Sequence, residues 1–378
     1  MAGADLPAKT ICFRSASSYL FFTMAETSLE STTFTYNYDN YPMACDQRNI
    51  LNFGIIFLPT LYSLVFAFGL VGNLLVVLAL TNSSKHKSIT DIYLLNLALS
   101  DLLFVTTLPF WTHYVLNEQG FNNALCKLIT AFYFIGYFSG IFFITIISID
   151  RYVAIVLAAH SLNCRTVQHG VIVSLGVWAA AILVATPQFM FTEKVDSECL
   201  GNYPDILRDI WPVLRNVETN FLGFMVPLLI MCYCYFGIIR TIFSCKNHKK
   251  TRTIKLILVV VFVFFLFWTP YNVMIFLETL KYYNLFENCE LKKALRLAMN
   301  VTETIAFIHC CLNPFIYAFA GEKFRKYLYH LYRKCLSILC SHDVRTQFLS
   351  PDAHKRESTI ISASVTSFTS DGDGSILL

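Results

Sequence analysis

Seven runs of apolar residues dominate the chain, at roughly 53–80, 92–115, 128–149, 167–190, 221–242, 254–280 and 297–320. Each is about the 20 residues of helix needed to cross a ~30 Å hydrocarbon core. Backbone polar groups in lipid must find partners within their own segment, and no run alternates as a barrel strand does, so the runs are read as helices. Composition agrees: 56% of the 378 residues are hydrophobic and 14% charged, against about 25% charged in soluble domains. A water-soluble enzyme, a disordered regulator and a disulfide-rich miniprotein are excluded. The reading is an all-α membrane protein, a seven-transmembrane helix bundle with a short amphipathic eighth helix. The thirteen cysteines are scattered, with no second ligand pair at zinc spacing; no metal, no cofactor and no nucleic-acid partner is expected.

Pro59, Pro109, Pro187, Pro227, Pro270 and Pro314 lie inside the runs. Each removes one backbone hydrogen bond and is expected to kink its helix. Loop charges set the orientation. Lys85, Lys87, Arg165, Lys246, Lys249, Lys250, Arg252, Lys323, Arg325 and Lys326 all fall on one side, which is then cytoplasmic. Acids such as Glu193, Asp196, Glu198 and Asp205 sit opposite. An odd number of spans puts the N terminus outside and the C terminus inside, in a multi-pass protein. Residues 1–23 read as a dispensable extension before an alternative start at Met24, and 24–52 as an outer segment. The bundle covers 53–320, the amphipathic cytoplasmic helix 321–336, and a hydroxyl-rich disordered tail 337–378. No internal repeat points to a transporter, and no filter loop or ring of charges to a channel.

At the inner end of the third run the sequence reads Asp150-Arg151-Tyr152-Val153-Ala154-Ile155-Val156. Further marks follow the chain: Gly72-Asn73, Leu97-Ala98-Leu99-Ser100-Asp101, Thr107-Leu108-Pro109, Trp178, Pro227 with Tyr235, Trp268-Thr269-Pro270-Tyr271, and His309 through Asn313-Pro314 to Tyr317. In this order, over roughly residues 45–335, the chain resembles the rhodopsin-like G-protein-coupled receptors, and the chemokine receptors in particular. Stretches 207–223 and 269–281 look closest to the branch whose ligand is fractalkine.

The resemblance implies a plasma-membrane receptor, not an enzyme. It would convert chemokine binding into activation of an inhibitory-type heterotrimeric G protein, with receptor kinases and arrestin as further partners and membrane lipid around it. Chemotaxis, adhesion and survival signalling of leukocytes are the implied roles. Glu303, costly in a membrane unless partnered or wet, would meet a cationic ligand terminus among Trp111, Tyr114, Tyr133 and Tyr271; a structural ion pair is the plainer alternative. Tyr36, Tyr38 and Tyr41 around Asp39 resemble sulfation segments that would steer a basic ligand. Arg151 is either a snorkelling arginine held by Asp150 or a switch that leaves Asp150 for Tyr235 and Tyr317. Tyr152, Trp268, Pro270, Asn313 and Pro314 are the remaining implied switch residues.

Asp101 reads either as a polar knot with Asn73 and Asn313 or as a sodium ligand. The chain departs from the family here, because the third-span positions that usually add Asn and Ser to the ion are Gly136 and Gly140. A hard cation prefers several oxygens, so protonation or water around Asp101 takes its place. The resemblance also implies disulfides Cys126–Cys199 and Cys45–Cys289. Cys232, Cys234, Cys310 and Cys311 read as small apolar residues, and Cys335 or Cys340 as a palmitoylation site or a free thiol. Ser358, Thr359, Ser362, Ser364, Thr366, Ser367, Thr369 and Ser370 are candidate phosphorylation sites, or an unmodified solvated strip.

Overall fold

The computed structural model describes residues 48–82, 88–116, 121–157, 166–195, 198–208, 210–244, 248–281, 283, 288–320 and 324–333. The helices begin where short polar side chains stand ready to accept the first free N–H groups. Ser88 and Asp91 close a reciprocal capping box at the start of α2, Ile89–Val105. Asn122 caps α4, Asn123–Ile155, and Thr166 caps α5, Val167–Phe191. The remaining long helices are α1, Arg48–Thr81, α8, His248–Lys281, and α9, Cys289–Ala320.

Among the described residues, seven helical stretches are long and apolar enough to cross a membrane: Ile55–Thr81, Ile89–Leu116, Asn123–Ile155, Val167–Phe191, Trp211–Phe243, Val261–Leu280 and Cys289–Ile316. Two are interrupted. The second breaks between α2 and α3, Leu108–Leu116, because Pro109 disfavours helical geometry just before it. There Thr107 turns its hydroxyl onto the Phe104 carbonyl, 2.7 Å away. The fifth runs from α6, Trp211–Asn220, through a π-helical turn, Phe221–Met225, into α7, Val226–Ser244. Pro227 has no N–H to give an α-helical ladder, and the wider turn takes up the mismatch just before it.

The bundle is inverted relative to a soluble protein. Ile172, Leu175, Leu183, Phe236, Phe262 and Leu266 face outward. Asn73, Asp101, Arg215, Glu303, His309 and Asn313 are buried. Apolar surface outside and polar groups inside suit lipid as the surrounding solvent. The centrally placed α4 packs against α2, α5 and α7, while α9 packs against α1 and α8.

One feature absent from the sequence reading joins the fourth and fifth spans. Strands β1, Thr192–Val195, and β2, Glu198–Gly201, form an antiparallel pair with Thr192 opposite Gly201. Cys199 of β2 is disulfide-bonded to Cys126 of α4. The Lys194 N–H donates to Asn123 Oδ1 at 3.0 Å. Phe191, Tyr203 and Trp211 pack ring on ring beneath the hairpin.

The chain divides after Phe324 into a second unit. Its described part, 325–333, is helical, and Arg333 lies over the Tyr329 ring at 5.4 Å.

Candidate functional site

Near the end of the bundle that carries the Cys126–Cys199 disulfide, Glu303 of α9 is 3% exposed. Tyr133 of α4 donates its hydroxyl to Glu303 Oε1 at 3.5 Å. Tyr62 of α1 and Tyr271 of α8 stand within electrostatic range of this pair. A carboxylate so placed is kept from water, with the Tyr133 hydroxyl as a hydrogen-bond donor. Trp111 meets Tyr133 edge-on at 6.3 Å and Tyr114 at 6.1 Å. Phe104 and Phe307 complete the floor, each about one ring width from Tyr133. The structure therefore brings together all five pocket residues that the sequence singled out, and adds Tyr62, Phe104 and Phe307. A cation entering here would find a carboxylate and ring faces.

Below this cluster a continuous file of rings leads inward. Tyr133 touches Phe134, Phe134 stacks on Phe138, and Phe138 meets Tyr137 at 4.9 Å. Tyr137 in turn lies 4.9 Å from Trp268. Trp268 contacts Phe264, Tyr271 and His309.

A cavity of about 20 Å³ opens below Trp268, lined by Asp101, Gly136, Gly140, His309 and neighbouring apolar residues. Asn313 donates from Nδ2 to Asp101 Oδ2 at 2.8 Å. The polar knot inferred from sequence takes a different form at Asn73. Its Nδ2 donates to the Cys310 carbonyl at 3.0 Å, so it joins α1 to α9 through the backbone rather than through the Asp101 carboxylate. The lining supplies one carboxylate, and Gly136 and Gly140 add no side-chain oxygen to it.

At the other end of α4, Arg151 Nη2 lies 2.6 Å from Asp150 Oδ2. Thr90 of α2, which the sequence did not flag, accepts from Arg151 Nη2 and donates to Asp150 Oδ2 at 3.2 Å. Tyr235 is not at Arg151; its hydroxyl shares a hydrogen bond with Ser148 at 3.1 Å. Tyr152 turns away and meets Tyr233 at 3.3 Å between hydroxyls. Pro270 and Pro314 lie inside α8 and α9. Tyr317 lies in α9, and its side chain is outside the described residues.

Cys289 is disulfide-bonded, while its expected partner Cys45 lies outside the described residues. So do Tyr36, Tyr38 and Tyr41, Cys335 and Cys340, and the hydroxyl cluster at 358–370. Cys232, Cys234, Cys310 and Cys311 are free thiols within helices, Cys232 exposed and the rest buried.

Seven membrane-length helices, a disulfide at one end of the bundle, a buried carboxylate among rings and an arginine–aspartate pair at the other end are arranged as in a seven-helix membrane receptor. Residues 72–317 match the 7 transmembrane receptor (rhodopsin family) domain, and the chain belongs to that family. Within it the chain is a chemokine receptor by its relatives. It is 69% identical over 343 residues to CX3C chemokine receptor 1 of Mus musculus, covering 91% of this chain and 97% of that one. It is 68% identical over 350 residues to CX3C chemokine receptor 1 of Homo sapiens, covering 92% and 99%. Identity to C-C chemokine receptor type 4 of Homo sapiens is 47% over 337 residues, covering 87% and 93%.

Proposed function

We propose that this chain is a plasma-membrane receptor for a CX3C chemokine, fractalkine, which it couples to an inhibitory-type heterotrimeric G protein. The disulfide-bearing end with Glu303 faces outside and the Arg151 end faces the cytoplasm, as the loop charges require. The single observation that carries the reading is Glu303, buried among Tyr62, Tyr133 and Tyr271. A buried carboxylate among phenols is poised for a cationic ligand terminus that pairs with its charge. Ligand favours the state in which Arg151 leaves Asp150, and the G protein reads that state; this is a population shift driven by differential affinity.

Around this core stand the outlying parts. Residues 24–52 form the outer segment, and sulfated Tyr36, Tyr38 and Tyr41 add negative charge that steers a basic chemokine. A Cys45–Cys289 bridge ties that segment to the pocket mouth. Receptor kinases phosphorylate Ser358, Thr359, Ser362, Ser364, Thr366, Ser367, Thr369 and Ser370, and arrestin captures the resulting anionic strip. Chemotaxis, adhesion and survival signalling of leukocyte-like cells follow from a ligand presented on membranes.

The test is chemokine-dependent G-protein activation in cells expressing the wild type and Glu303→Gln. The expected result is a fractalkine response in the wild type that the variant loses or shifts to at least tenfold higher ligand. A wild type silent to fractalkine and to every other chemokine sinks the function. An unaltered variant removes Glu303 from the site.

A further inference from the structure

We propose that the cavity beside Asp101 is a water site and not a sodium site, and that Gly140 is the residue that makes the difference. Its volume is about 20 Å³, room for at least one water, whose own sphere fills roughly 10–15 Å³. Hard cations are held by carboxylates, carbonyls and waters. Here one oxygen of the only carboxylate on the wall, Asp101 Oδ2, is already taken by Asn313. Two nitrogens of the lining residues are the wrong kind, and the Tyr137 hydroxyl lies against Gly223. Trp268 Nε1 and His309 Nε2 are buried on this wall without a hydrogen-bond partner. An indole N–H is a donor only and repels a cation, and an imidazole nitrogen suits transition metals better than sodium. A water suits both. It accepts from Trp268, exchanges a hydrogen bond with His309 and donates to Asp101, within the two to four partners that a buried water makes.

The two glycines differ in what they permit. A Cβ on Gly136 would fall 2.8 Å from the Phe104 nitrogen and 3.0 Å from its Cα. No side chain fits there, because backbone cannot swing aside. A Cβ on Gly140 would meet Ser100 Cβ at 3.9 Å and Asp101 Oδ1 at 4.0 Å, both ordinary contacts. A serine at 140 would therefore seat its hydroxyl beside Asp101 Oδ1 and add a side-chain oxygen to the wall.

The experiment uses the full chain in lipid nanodiscs. Its melting temperature and ligand-free nucleotide exchange are followed as sodium chloride replaces potassium chloride at constant ionic strength. The wild type is expected to melt identically in both salts, with exchange unchanged within twofold. Gly140→Ser is expected to gain a saturable, sodium-specific rise in melting temperature that adding Asp101→Asn abolishes. A wild type stabilised by sodium over potassium, with the effect lost in Asp101→Asn, overturns the proposal. So does a folded Gly140→Ser that is blind to sodium. Should Gly140→Ser not fold, His309→Asn adds an oxygen from the opposite wall and is read in the same way. Melting needs neither ligand nor G protein, so its outcome stands apart from the functional reading.

Discussion

Thr90→Val is the sharpest perturbation of the proposed Arg151 switch, because it is nearly isosteric and removes only the hydroxyl. In the structure that hydroxyl serves two charged partners. It accepts from Arg151 Nη2 and donates to Asp150 Oδ2. The Asp150 and Arg151 side chains are 6% and 15% exposed, so water compensates poorly for the loss. Hydrogen bonds to charged groups contribute about 1.5–3 kcal/mol. The direct contact between Arg151 and Asp150 survives the substitution, which places the expected loss at the low end, about 1.5 kcal/mol. That is a factor of about ten in the closed-to-open equilibrium. A receptor open about 1% of the time without ligand would then be open about 10%. The assay is ligand-free nucleotide exchange on a heterotrimeric G protein, catalysed by the receptor in nanodiscs. Thr90→Ser keeps the hydroxyl and should behave as wild type. Exchange by Thr90→Val within twofold of wild type, in receptor that still binds ligand, would refute the reasoning. An equal rise in Thr90→Ser would do the same.

Two further outcomes are expected. Gly136→Ala should destabilise the bundle by about 1–3 kcal/mol through overpacking, since the new methyl presses on Phe104 backbone; an unchanged melting temperature would show that α2 and α4 yield there. At the hairpin, the Asn202 amide and the Lys127 charge hold the Glu193 carboxyl below its usual range. A depressed pKa contributes stability above the unfolded value of 4.5, and that contribution is lost as pH falls through the lower folded value. Side-chain NMR of Glu193 should therefore titrate low in the wild type and move up in Asn202→Ala, whereas an ordinary wild-type titration would show that the 2.8 Å contact is not kept in solution.

Hydropathy located every span, yet it placed two beginnings late for an identifiable reason. The fifth span starts at Trp211 rather than near 221, because Arg215, Asn216 and Thr219 interrupt the apolar run while pointing into the bundle. The seventh starts at Cys289, ahead of Lys292, Lys293 and Arg296, which lower hydropathy without breaking the helix. A window average sees polarity and not direction. The hairpin was illegible because its strands are four residues each and partly charged. It is held by the Cys126 disulfide and by Asn123, contacts about 70 residues away in sequence. At the site, Glu303 announced itself by the cost of its charge. Tyr62 did not, being one aromatic among many in an apolar run. Thr90 gave no signal either, since its partners are 60 and 61 residues distant.

The two ends of the bundle are joined by material of unequal stiffness, and that inequality bears on how a ligand can act. From Tyr133 to Trp268 the rings are in unbroken contact, and a packed interior transmits displacement rather than absorbing it. Beneath Trp268 lies the cavity, between Phe264, His309 and Asp101, which leaves room on one side of the indole. What fills the cavity then decides which element sets the resting state. An ion bound tightly in one state only would bias the equilibrium by its differential affinity. A water that exchanges one set of hydrogen bonds for another supplies little such bias. The resting population should then rest on the Thr90, Asp150 and Arg151 contacts at the far end. It follows that the rise in basal exchange caused by Thr90→Val should be the same size in sodium as in potassium. A rise seen in potassium alone would mean that an ion at Asp101 shares control of the closed state.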